Sequence, residues 1–268
     1  MTEFVDRDLR GARFERVDLS DAEMHRVRFH NASMRHVNLS GIDLRGAAIH
    51  GSRLSGVELV DVVITGELQN VSINGVDIGP LVDEELNRRM PDRMKMRPTD
   101  PDGFREAWDI VVARWERTTA RARQLPEDML HAHVDGEWSF IQTLRHLNFA
   151  SAAWIGRMVL GDPSPWHALD LPWDEAPGWN GVPWDRDARP TLEEVLTVRR
   201  DRQAMVAGVM ESLTPEQLAS HVSRAEPGWP TIDDFPVSEC VSIVLNEEWE
   251  HRNFAERDLD ALGAPPTE

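Results

Sequence analysis

Cysteine is almost absent: Cys240 is the only one in 268 residues. An intramolecular disulfide framework is therefore excluded, and a reducing compartment fits. Long apolar runs are missing as well. No stretch approaches the ~18 consecutive apolar residues of a membrane span. Met1-Thr2-Glu3-Phe4 does not open a signal peptide, so the expectation is a cytoplasmic protein with no membrane partner. Positive charge is scarce, with 29 basic against 47 acidic residues and a net charge of −18. That balance argues against a general nucleic-acid binder, which needs cations for phosphates. Lys95 is the sole lysine, an arginine bias that fits a GC-rich genome. No glycine-rich phosphate loop and no Ser-His-Asp spacing can be found. What is present is a globular composition, 41% hydrophobic and 28% charged, at a length for one or two domains.

The first third of the chain repeats. Every fifth residue from Phe4 is large and apolar: Leu9, Phe14, Leu19, Met24, Phe29, Met34, Leu39, Leu44, Ile49, Leu54, Leu59 and Ile64. Two residues before most of them stands a smaller apolar one, from Ala12 and Val17 to Val57 and Val62, with Ser52 the exception. A period of five fits neither a helix nor a strand. The pattern resembles the pentapeptide-repeat family. That resemblance implies a right-handed quadrilateral β-helix, four pentapeptides to a coil, with the five-spaced residues inside. After Ile64 the register slips by one, resumes with Leu68, Ile73 and Ile78, and ends at Gly79-Pro80.

Residues 81–102 read as a linker with a short helix. Beyond them the helical period takes over. Phe104, Trp108, Val111, Val112 and Trp115 form one stripe, with Asp102 as candidate N-cap. A second helix is expected over 138–160. A third opens with the capping box at Thr191 and Glu194, and a shorter one with Thr214 and Gln217. A last long helix follows Pro236. The expected architecture is multi-domain: a β-helix over 1–80, the linker over 81–102, and an all-α four-helix bundle over 103–268. The loop 162–190, rich in tryptophan, is either the wall of a pocket or a segment packed on the bundle.

Chemistry-bearing residues concentrate on the second and last helices. Glu247 and His251 stand four apart, one turn along a single face flanked by Val244 and Phe254. An inward carboxylate there is costly unless paired or metal-bound. His146 has Thr143, Ala150 and Ala153 as small helical neighbours. Two histidines and a carboxylate would make an open three-ligand site with a position left for water or a thiol. Each element also has a plainer reading, as a hydrogen-bonded core histidine or a solvated Glu-His pair. Cys240 reads as core, His131 and His133 as a solvated loop, and His25, His30, His36 and His50 as surface. The glutamates at 193–194 and 248–250 read as partly solvated helix faces.

The helices, the Trp-Ser…Leu-x-His-Leu segment at 138–147 and the Glu-Glu-Trp-Glu-His segment at 247–251 resemble the DinB-like superfamily over about residues 104–262. Within it they look most like the branch of mycothiol-dependent maleylpyruvate isomerase and related thiol S-transferases. The resemblance implies a divalent metal, zinc or nickel, on His146, Glu247 and His251. It implies that the metal holds a low-molecular-weight thiol such as mycothiol as thiolate. The partners would be that thiol and a small-molecule electrophile, and a homodimer is compatible with it.

A different class of function competes. Some pentapeptide-repeat proteins mimic duplex DNA, and the alternative is a non-enzymatic binding or protective protein with a structural metal. Residues 1–80 hold 12 acidic and 9 basic side chains, a net of −3, which leaves −15 elsewhere. Sixteen pentapeptides also make only a short rod. A duplex mimic should be long and strongly acidic, and this segment is neither.

Overall fold

The computed structural model of the chain describes residues 3–266. It divides into two compact units, Met1–Thr65 and Gly66–Glu268. In the first, the five-residue period is written into the backbone. Positions 6, 11, 16 and so on to 61 all take a left-handed φ, and nine of these twelve are Gly, Asn or Asp. Those are the residue types that accept this conformation at least cost. Local bonds close alternate corners, as from the N–H of Ala12 to the carbonyl of Leu9 and from Ile42 to Leu39.

The expected coil with a filled interior is not what this unit shows. Phe14 is 61% exposed and Leu39 54%. Among the described residues no strand occurs before Ser72. Nor does any backbone bond there join one repeat to another twenty residues away. The period dictates corners, which are local; stacking of coils is a separate, long-range event.

The resumed register at 68–78 is also different from the expectation. Asn74 and Gly75, both at positive φ, turn a hairpin that pairs Ser72–Ile73 (β1) with Val76–Asp77 (β2). An Asn-Gly pair is the preferred filling of such a turn. Helix α1, Gly79–Arg89, follows, and then a 3-10 turn, Pro91–Met96. Met90 and Met96 pack against the helical core, and Asp92 receives the Arg114 guanidinium at 2.6 Å. The segment expected as a linker therefore lies against the bundle.

The bundle itself is α2 (Pro101–Ala122), α3 (Phe140–Ser151), α4 (Leu192–Ser212) and α6 (Val237–Ala261), with a one-turn α5 (Pro215–Leu218). Helix α2 starts two residues earlier than expected. Asp100 caps it by accepting the Gly103 N–H, because Pro101 has no N–H to lose and its fixed φ suits the first helical position. Asp102 pairs with Arg105 instead. Both predicted capping boxes, at Thr191 and Thr214, are formed. The second helix begins two residues later than expected, with Ser139 as cap, and continues in π-helical form over Ala152–Val159. Helix α3 packs on α4 and α6, and α2 packs on α6. Phe104, Trp108, Val111 and Trp115 meet Leu144, Leu147, Val195, Val241 and Leu245 in one buried core. Before α6 the chain forms a short antiparallel pair, His221–Arg224 (β3) with Ile232–Pro236 (β4). Among the described residues no helix is long and apolar enough to cross a membrane.

Candidate metal centre

Two helices bring three side chains together. Helix α3 is pinned at its start by a reciprocal cap: Gln142 N–H donates to Ser139 Oγ at 3.3 Å, and Ser139 N–H donates to Gln142 Oε1 at 2.9 Å. That places His146 one turn further on, buried between Leu144 and Leu147. On α6, Val244 and Leu245 anchor the helix in the core, so Glu247 and His251 reach the edge of the same interior. The apolar flank is shorter than expected. Phe254 is 46% exposed and marks where the inward face ends.

Glu247 Oε2 lies 3.2 Å from His146 Nε2 and 3.0 Å from His251 Nε2. One ligand atom from each residue falls within 4.8 Å of the others, and among the described residues this is the only such triad. Burial opposes ionisation of the Glu247 carboxyl. The hydrogen bonds and charges of His146 and His251 outweigh that, holding its pKa far below the usual range. Two imidazole nitrogens and one carboxylate oxygen suit zinc and its neighbours. With metal–ligand bonds of about 2.0–2.2 Å, tetrahedral ligand atoms stand roughly 3.3 Å apart, close to the two separations from Glu247. Protons bridge these contacts in the absence of a cation, and a divalent ion would take their place.

The second ring of contacts was not legible beforehand. His146 Nδ1 sits 3.0 Å from the carbonyl of Leu171, which fixes Nδ1 as donor and directs Nε2 at Glu247. Trp138 stacks on His251 at 5.8 Å and leans on His146 at 4.6 Å. Its indole N–H donates to Asp174 at 3.0 Å. Leu171 and Asp174 both come from the tryptophan-rich loop. That loop is clasped by Arg145, whose fully buried guanidinium donates to the carbonyls of Leu169, Asp185 and Ala188. Of its tryptophans, Trp166, Trp173 and Trp179 gather with Trp229 around Phe149, which itself lies 6.4 Å from His146. Trp184 packs against the same cluster and carries the Arg186 guanidinium over its ring. A backbone carbonyl leaves no trace in a sequence; Arg145, beside His146 on a buried helix, was the one available hint.

Other candidates fall elsewhere. Cys240 is buried, and burial pushes its thiol up to about 12, so it offers no nucleophile at neutral pH. Glu248 is not on a solvated face: it is 1% exposed and receives both Nη atoms of Arg199, at 3.1 and 2.5 Å. Its place opposite α4 accounts for this. His25, His30, His36 and His50 are exposed and join no metal triad. His131 and His133 line a cavity beside the first turn of α3.

Residues 110–255 match the DinB superfamily. The chain belongs to that superfamily. Ahead of it, residues 4–35 and 22–59 match pentapeptide repeats, in eight copies. A search of the curated proteins finds no match. In this DinB domain α3 contributes one prospective ligand and α6 two.

Proposed function

We propose that the DinB domain is a metal-dependent thiol S-transferase or isomerase, with a divalent ion on His146, Glu247 and His251. The observation that carries the reading is a cluster of three possible ligands, one of its histidines oriented by a buried carbonyl and with no fourth such side chain grouped with it among the described residues. A structural zinc is closed by four protein ligands, whereas a catalytic one keeps a position open. The bound ion would supply Lewis acidity, holding a low-molecular-weight thiol such as mycothiol as its thiolate at neutral pH. The chain's own residues do the rest. Leu171 and Trp138 fix the two imidazoles, Glu247 provides the one negative charge, and the tryptophan cluster walls off one side from water. The inert Cys240 leaves the nucleophile to come from outside the protein. This thiol reading also rests on the resemblance of the 138–147 and 247–251 segments to the maleylpyruvate isomerase branch.

For the N-terminal unit we propose a closed four-sided coil. Thirteen large apolar residues in water form a stripe far longer than monomers tolerate, and stacking would remove it.

Elemental analysis of protein prepared without chelator should find about one zinc or nickel per chain. Occupancy should fall sharply in His146→Ala, Glu247→Ala and His251→Ala and stay unchanged in His25→Ala. Calorimetry with mycothiol should show binding to the metal-loaded wild type and none to His251→Ala. Equal thiol binding by both proteins would reduce the site to a structural one; a wild type that cannot be loaded would remove it.

A further inference from the structure

Helix α4 carries none of the three prospective ligands, yet two of its arginines reach the elements that present them. Arg199 and Arg202 stand three apart, on one face of the helix. Arg199 meets Glu248 of α6, which lies between Glu247 and His251 in the chain. Arg202 meets Asp170, whose neighbour Leu171 orients His146. We propose that Arg199 and Arg202 are positioning residues, through which α4 sets how α6 and the tryptophan-rich loop present the triad. Metal binding at the triad rests on the function proposed above; the positioning does not.

Both contacts are shut away from water. The Arg199 side chain is 3% exposed and that of Glu248 1%. Two Nη atoms meet two carboxylate oxygens, at 3.1 and 2.5 Å. The same guanidinium lies over the Trp115 ring at 4.8 Å, and the Trp115 indole N–H donates to the Glu248 carbonyl at 3.1 Å. Helix α6 is therefore gripped at Glu248 by side chain and backbone together. In the loop, Asp170 Oδ2 accepts the His167 N–H at 2.9 Å and faces Arg202 at 3.5 Å. The nearby Arg145 guanidinium spends its donors on carbonyls, which leaves the Asp170 carboxylate to Arg202.

Stability does not account for such pairs. Desolvating two charges costs about what their attraction returns, and apolar residues of similar volume often serve as well or better. What a fork adds is direction. A methionine packs against its neighbour at many angles, whereas a two-bond guanidinium–carboxylate pair admits one. The triad needs that constraint. Glu247 Oε2 and His146 Nε2 come from different helices and stand 3.2 Å apart. Side-chain tips lie about 5–6 Å from a helix axis, so turning α6 by ~20° would carry Glu247 about 2 Å away. Metal–ligand distances tolerate roughly 0.2 Å. Glu248, one residue from Glu247 and three from His251, is where such a rotation is stopped most directly.

The test replaces each pair with side chains of similar size that lack the fork. Arg199→Met combined with Glu248→Met should melt close to wild type. In crystals of the metal-free protein its Glu247–His146 contact should open by about 1 Å or more. Cobalt(II), titrated against a chromogenic chelator, should bind about 10–100-fold more weakly, with altered visible absorption. Arg199→Lys keeps the charges paired without the fork, and serves for both readouts should the double variant not fold. Arg202→Met combined with Asp170→Asn should lengthen the 3.0 Å contact between the Leu171 carbonyl and His146 Nδ1 beyond hydrogen-bond reach. A wild-type Glu247–His146 separation in the folded Arg199 variant overturns the role of Arg199. An unchanged Leu171–His146 contact overturns that of Arg202. If wild type takes up no metal, these two separations still decide the positioning, and only the metal reading falls.

Discussion

Two carboxylates in the DinB domain are displaced in opposite directions, and the signs separate their effects on stability. Asp170 is wholly buried; desolvation raises its pKa to about 6 even though Arg202 pulls the other way from 3.5 Å. In the unfolded chain the same group ionises near pH 3.9. The folded state therefore holds the proton longer. The Asp170 contribution to stability is greatest below about pH 4, declines by on the order of 3 kcal/mol as pH rises to about 6, and is level above. Asp170→Asn should flatten that stretch, read as melting temperature against pH. Glu247 behaves inversely in the metal-free protein. Its folded pKa is depressed, so its contribution is present above about pH 4.3 and is lost as pH falls through the depressed value. Helical spacing alone puts Glu247 and His251 on one face, whereas His146 was named with them only through the resemblance to the DinB-like superfamily. Asp170 could not be named, since nothing in a loop of Asp, Pro and Trp marks which carboxylate is drawn inside.

Among the elements, the loop between the π-helical end of the second helix and α4 is the least regular and the most constrained. It has no ladder of its own and hangs on Arg145, on the Arg145 carbonyl that accepts the Leu171 N–H at 3.2 Å, and on His146. Arg145→Leu would leave several buried carbonyls without donors and should release the loop. Limited proteolysis should then cut within 162–190 in the variant and not in wild type. Because the same loop orients His146 through Leu171, the variant should also bind metal less tightly, by roughly the 10–100-fold that outer ligands command. Protease resistance equal to wild type would show that the tryptophan cluster around Phe149 holds the loop unaided. The caps at Thr191 and Thr214 were readable because their partners lie three residues away. The loop was not, because its partners lie 24 to 43 residues away.

At the largest scale, one residue of the first unit tells an open coil from a closed one. With Leu39 half exposed, a charge there costs little, within about 0.5 kcal/mol as for other surface changes. In a closed coil the same charge would be forced into a narrow apolar interior at a cost of several kcal/mol. Leu39→Arg in the full chain therefore discriminates. The closed coil predicts loss of one melting transition with the helical circular-dichroism signal intact, and two unchanged transitions would favour the open form.

Local rules carried much of this protein into view from its residues alone. The five-residue period set corners at every fifth position, through the left-handed preference of Gly, Asn and Asp. The 3.6-residue period set the buried stripe from Phe104 to Trp115, and four-residue spacing set the Glu247–His251 pair. Those features depend on neighbours a few residues apart, whose energies are written in short stretches of chain. Tertiary structure alone decided that His146 meets that pair from another helix, 101 residues away. It also decided that a carbonyl of Leu171 sets its tautomer, and that Glu248 is an interior ion-pair partner while Glu250 faces water. Each of these is a choice among distant groups competing for the same buried space, settled by desolvation once the helices have packed.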